Sequence, residues 1–163
     1  MNTPHPDIPE LIEAFAARGG AVRRAIEGHS PADMDRPLQP GSWSIRQVVV
    51  HLLDSDLAAT HRMRRIAAEK MPLIIAYDET AFVGALRYEE ADLAEVLDLF
   101  ELNRRFTTRW LRTLRAGDFD CAGVHSQRGK VTLREMVAGY IQHVDHHLQF
   151  VAEKRKALAA PRR

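Results

Sequence analysis

The sequence predicts an all-α protein, a four-helix bundle with long crossover connections, and three observations predict it. Apolar residues recur at helical spacing in four segments. Three of those segments open on a polar residue answered three positions later by Glu or Gln, the reciprocal pattern of a capped helix start. The stretches between segments are longer than the tight turns of an up-and-down bundle, so at least one is expected to cross it.

The first segment runs over roughly 8–27 with Leu11, Ile12, Phe15, Val22 and Ile26 on one side. Gly19 and Gly20 each cost about 1 kcal/mol against Ala in a helix interior, which predicts a kink or break. The second begins at Ser44 with Gln47 as capping partner and Trp43 as a staple on the first turn. It carries Ile45, Val48, Val49, Leu52, Ala59, Met63 and Ile66 until Pro72 forbids extension. The third begins near Asp92 with Glu95, presents Leu93, Val96, Leu97, Phe100, Phe106, Trp110 and Leu114, and is expected to stop at Gly117. The fourth begins at Thr132 with Glu135 and shows Leu133, Met136, Val137, Tyr140, Val144, Leu148 and Val151. Between the last two, Cys121 to Val131 reads as a short hairpin turning at Arg128-Gly129, and the basic end from Lys154 as a solvated tail.

The chain has 163 residues, which fits one domain, 1–163, able to bury a sizeable core. A formal net charge of +1 gives no bulk attraction for nucleic acid or anionic lipid. Cys121 is the only cysteine, so no internal disulfide forms and no oxidising compartment is called for. The amino-terminal stretch has no apolar segment, and no run approaches the ~20 apolar residues of a membrane span. A cytoplasmic protein acting on a small molecule, with no nucleic-acid or membrane partner, is the expectation.

Eight histidines leave one informative pattern. At about 100° per residue His51 lies on the flank of its apolar stripe, in line with Val48 and Ser55, whereas His61 falls on the far side. His143 and His147 share a face of the fourth segment, and His146, about 100° away, points outward. Three imidazoles from two helices leave a coordination position open, as catalytic sites do, and suit Zn, Ni, Fe or Cu better than Mg or Ca. No His-Glu-x-x-His motif, cysteine cluster or Glu-x-x-His repeat competes with that reading. Asp54 and Asp145 offer carboxylates to orient the rings or to move protons, or else are plain surface residues.

Three stretches resemble the DinB/YfiT-like family of bacterial metal-binding four-helix bundles, often labelled metal-dependent hydrolases. They are Trp43 to Ser55, Tyr77-Asp78-Glu79, and Tyr140 to His147. The resemblance puts the family's three ligands on His51, His143 and His147, the residues that the helical angles select. It also implies a divalent ion, nickel or zinc with iron or manganese as further options, and a homodimer. One branch of the family transfers low-molecular-weight thiols such as bacillithiol, and mycothiol- and glutathione-dependent relatives exist. Where relatives continue with a polar or histidine residue after the last ligand, this chain has Leu148-Gln149-Phe150.

Three functions follow as expectations. The first is metal-dependent transfer of a low-molecular-weight thiol, as co-substrate, to an electrophile. The second is hydrolysis with Asp54 or Asp78 relaying the proton. The third is a metal-binding, stress-associated protein without turnover.

Overall fold

Four long helical stretches carry the fold, and their starts are fixed by side chains. The computed structural model describes residues 7–159. Helix α1 (Ile8–Ala17) starts on the Asp7 carboxylate and is broken from α2 (Ala21–Ile26) at Arg18-Gly19-Gly20, where the two glycines predict a break. A short α3 (Pro31–Asp35) follows, capped by Ser30. Helix α4 (Ile45–Ala68) has the full capping box: Gln47 N–H donates to Ser44 Oγ at 3.2 Å, and Ser44 N–H to Gln47 Oε1 at 2.9 Å. Helix α5 (Glu79–Ala85) leads to α6 (Leu93–Leu111), whose Asp92 cap accepts from Ala94 and Glu95. Helix α7 (Leu133–Ala159) opens on the Thr132–Glu135 box.

Helix α6 ends at Leu111 and not at Gly117, because its last turn tightens: Thr113 N–H and Oγ1–H both donate to the Trp110 carbonyl, at 2.9 and 2.7 Å. Phe106 also departs from expectation, since it is 56% exposed and the Arg64 guanidinium lies over its ring at 4.9 Å. Six residues past Phe100 is about 240° round the helix, and the inward position goes to Arg104.

The packing explains the long connections. Helix α1 packs on α6 and α7, and α4 packs on the same two. Helices α1 and α4 therefore lie diagonally, as do α6 and α7. Two buried clusters set the directions: one gathers Phe15, Met63, Ile66, Leu111 and Val137, the other Val48, Leu52, Tyr88, Phe100 and Val144. The α1–α2 stretch and α7 run from the first cluster to the second, α4 and α6 the opposite way. Because α4 and α6 are parallel neighbours, the chain between them must return along the whole bundle, and residues 69–92 do this.

That return segment and the expected hairpin meet in a small sheet. Strands β2 (Ala122–His125) and β3 (Gly129–Thr132) are antiparallel, and β1 (Leu73–Ile74), which the sequence pattern does not announce, pairs parallel to β2 with Ile74 opposite His125. Gly123 makes this possible, since a Cβ there would stand 2.8 Å from the Pro72 carbonyl. Ser126 then ties the hairpin tip to the return segment, donating N–H to Ile74 O and accepting from Ala76 N–H. Two loops thereby converge beside the face where α4 meets α7.

Among the described residues no helix is long and apolar enough to cross a membrane.

Candidate metal centre

Helix α4 carries His51 inward and α7 carries His143 and His147, one turn apart. The antiparallel packing of α4 on α7 brings the three rings together: His143 Nε2 is 3.2 Å from His51 Nε2 and 3.2 Å from His147 Nε2. One ligand atom from each lies within 4.8 Å of the others. Two nitrogens held about 2.0–2.1 Å from one tetrahedral ion stand about 3.3–3.4 Å apart, so the spacing matches a shared cation. A hydrogen-bond network fits it less well, because His143 Nε2 faces two other ring nitrogens and can carry one proton at most.

Burial favours the ligand form of each ring. Desolvation, helped by the neighbouring imidazoles, pushes His51 down to about 4, His143 to about 3 and His147 to about 4. All three are neutral at physiological pH and have lone pairs to give. Ser55 Oγ lies 3.2 Å from His143 Nδ1 and fixes that ring from behind, and Trp43 stacks obliquely on His51 with centroids 5.0 Å apart. Trp43 thus serves the site as well as the first turn of α4. Arg46 holds the fold together, donating to Asp35 and to the Ala91 carbonyl. His61 and His146 are exposed, as their helical angles predict.

The expected carboxylates are engaged elsewhere. Asp54 accepts the Tyr88 hydroxyl at 2.6 Å, and Asp78 caps α5 by accepting from Ala81 N–H at 2.9 Å. Asp145, which offered either a carboxylate for the rings or a plain surface residue, forms a two-toothed ion pair with Arg18 at 2.9 and 2.7 Å. The acid that faces the cluster is the neighbour of Asp78: Glu79 Oε2 is 3.8 Å from His51 Nε2, and burial raises its carboxyl above the usual range while Arg62 partly offsets this. Sequence reasoning passed over Glu79 because only the fold of the return segment decides which of two adjacent acids turns inward.

A pocket of about 260 Å³ opens beside His143, lined also by Glu79, Ser55, Tyr77, Tyr140 and Arg62, with His125, Gln127 and Arg128 from the hairpin. Arg62 had a sequence signal. It lies eleven residues after His51, within about 20° of the same helical face. The hairpin residues had none, since a loop's partners depend on tertiary placement.

Comparison with known proteins agrees with this arrangement. The family model described as DinB superfamily matches residues 14–151. A Bacillus subtilis protein named "Putative metal-dependent hydrolase YfiT" is 32% identical over 146 residues, 88% of this chain and 80% of that protein. The solved structure of YfiT from Bacillus subtilis, described as a probable metal-dependent hydrolase with an unusual four-helix bundle topology, superposes with a TM-score of 0.89 at 25% identity. It covers 99% of this chain and 95% of its own. A second four-helix bundle protein, TT2238, shares the fold at a TM-score of 0.65 and 18% identity, over 90% of this chain and 99% of its own. With its crossed bundle and its three converging imidazoles, this chain belongs to the DinB superfamily, in the YfiT-like group of metal-dependent hydrolase relatives.

Proposed function

We propose that this is a cytoplasmic, single-domain, metal-dependent enzyme that transfers a low-molecular-weight thiol to an electrophilic small molecule, with His51, His143 and His147 as ligands. The observation that carries the reading is the meeting of three neutral rings, 3.2 Å apart in two pairs, beside a pocket with one facing acid. A divalent ion, nickel or zinc before iron or manganese, would supply a Lewis-acid pole that makes a nearby thiol or water easier to deprotonate.

The chain's own groups do the rest. Glu79 Oε2 accepts the thiol proton as sulfur bonds to the electrophile and the electrophile's bond to its leaving group breaks, and the proton then passes to that leaving group, which departs with the bonding pair. Transfer to a good electrophile asks for this one proton acceptor. Hydrolysis of an amide or ester gains from a second group to protonate the leaving atom, and Asp54 and Asp78 are each committed to another partner. Hydrolysis is the second reading, favoured by the names of the relatives and equally served by Glu79 as base.

A homodimer is part of the proposal. Leu99, Leu102 and Phe106, 44%, 47% and 56% exposed, form an apolar stripe on the outer face of α6 that a second copy would cover.

Metal-loaded protein should conjugate one of several thiols to a chromogenic electrophile, and Glu79→Gln should slow this about 10²–10⁴-fold with metal content unchanged. Turnover of ester substrates without thiol would move the reading to hydrolysis. A Glu79→Gln protein as fast as the parent would remove the assigned base, and no turnover of either kind would leave a metal-binding protein without catalysis.

A further inference from the structure

We propose that the pocket beside His143 is an anion site, in which Arg62, Arg128 and His125 hold a carboxylate or phosphate group of the substrate while its reactive end reaches the three imidazoles. The identity of that anion as substrate rests on the metal-dependent reading above. The binding of an anion does not.

Four observations point to it. Arg62 spends its hydrogen bonds on neutral oxygens, donating to Tyr140 Oη at 3.0 Å and to the Ile75 carbonyl at 2.6 Å, so its charge has no ion-pair partner among the described residues. Arg128, at the hairpin tip, lines the same pocket and likewise has none among them, although the chain pairs many of its other arginines with carboxylates. His125 is buried and accepts the Gln127 N–H on Nδ1 at 3.2 Å, which leaves its proton on Nε2 as a donor. Tyr77 lines the same pocket and keeps a buried hydroxyl without a protein partner.

Each group fits an anion better than a neutral ligand. Two arginines line one small cavity, and Arg presents paired donors matched to carboxylate and phosphate oxygens. Their field is already felt at His125, whose imidazole is held below its ordinary pKa by burial first and then by Arg62 and Arg128. Among the described residues Glu79 is the only acid lining the pocket, and its Oε2 lies 3.8 Å from His51 Nε2. The lining therefore sets two guanidiniums and the His125 imidazole against one carboxylate. About 260 Å³ sits just below the range of ordinary small-molecule sites, which suits a compact anion. Gly139 on α7 lines the pocket too, and a Cβ there would stand in open space.

The test is calorimetric titration of metal-free, full-length protein with succinate, inorganic phosphate and, as neutral control, succinamide. One of the two anions should bind and succinamide should not, and which anion wins separates a carboxylate substrate from a phosphorylated one. Arg128→Gln, in an exposed turn where folding is not at risk, should weaken the preferred anion about tenfold or more, as loss of a charge-assisted contact does. The same variant should take up nickel as the parent does, and His143→Ala should do the reverse, losing nickel and keeping the anion. Failure of nickel to bind the parent would count against the metal-dependent reading alone. Equal binding of succinate and succinamide, or Arg128→Gln retaining full anion affinity, would overturn the anion site whatever the metal does.

Discussion

Asp56 and Arg104 bury a carboxylate and a guanidinium between the two hydrophobic clusters, each 1% exposed and 2.7 Å apart. Five residues earlier on α4, His51 meets His143 and His147, and among the described residues no acid comes within hydrogen-bonding distance, Glu79 standing 3.8 Å from His51 Nε2. The first group answers charge with charge, although Arg104 Nε keeps no hydrogen-bond partner. Asn103 donates to the second Asp56 oxygen at 2.8 Å, Arg104 reaches the Tyr140 carbonyl at 3.1 Å, and its guanidinium lies 4.0 Å over the Phe15 ring. The second group has only acceptors and half-used ring nitrogens turned toward one point. Buried charges are ordinarily paired, so a carboxylate set against a guanidinium reads as architecture, and three like ring nitrogens set against one another read as a place for something from outside.

The contrast breaks most visibly at Asp56. Asp56→Ala leaves the Arg104 charge buried without a counterion and should cost about 3–5 kcal/mol in urea unfolding. Replacing both partners by apolar residues of similar volume should recover most of that loss. An Asp56→Ala protein as stable as its parent would mean that Arg104 is satisfied without the carboxylate, and the two clusters would no longer differ in kind.

The opposite pattern is expected at His143. With no metal present, His143→Ala should change stability by no more than about 1 kcal/mol, since the ring's contacts are offset by relief of facing lone pairs. Nickel or zinc at a hundred times its dissociation constant should stabilise the parent by about 2.7 kcal/mol and the variant not at all. Melting curves with and without metal read both numbers.

Acid should act on the metal-free protein through the same rings. Their folded-state values, about 4, 3 and 4, lie below the ordinary 6.5, so between pH 6.5 and about 4 the unfolded chain takes up protons that the folded chain refuses. Stability therefore falls as pH falls through that window. His143→Ala should flatten the fall, and an unchanged slope would show that the rings are not the groups being titrated.

What the sequence made legible divides along the same line. Helix starts at Ser44, Asp92 and Thr132 are local hydrogen-bond patterns, and the meeting of His51, His143 and His147 follows from helical angles once two helices pack antiparallel. Arg104 and Asp56 were illegible because a charged residue inside a helical pattern reads as solvent-facing, and only a partner 48 positions away reverses that. Glu79, His125 and Arg128 sit in connections whose meeting depends on Gly123 and the parallel pairing of β1 with β2. Local spacing carries no trace of either.

The finest test of the comparison is Ser55, which is 2% exposed and has its hydroxyl 3.2 Å from His143 Nδ1. If the imidazole cluster is built to present nitrogens outward to a ligand, Ser55 works as a support that holds the ring's tautomer and tilt, because the hydrogen bond at one ring nitrogen decides what the other can offer. Ser55→Ala should then leave folding within about 1 kcal/mol while weakening metal affinity about 10–100-fold, and Ser55→Thr, which keeps the hydroxyl, should restore part of that affinity. If the cluster were another structural polar layer like Asp56–Arg104, the order would invert. Stability would fall, and metal uptake by the folded fraction would be untouched.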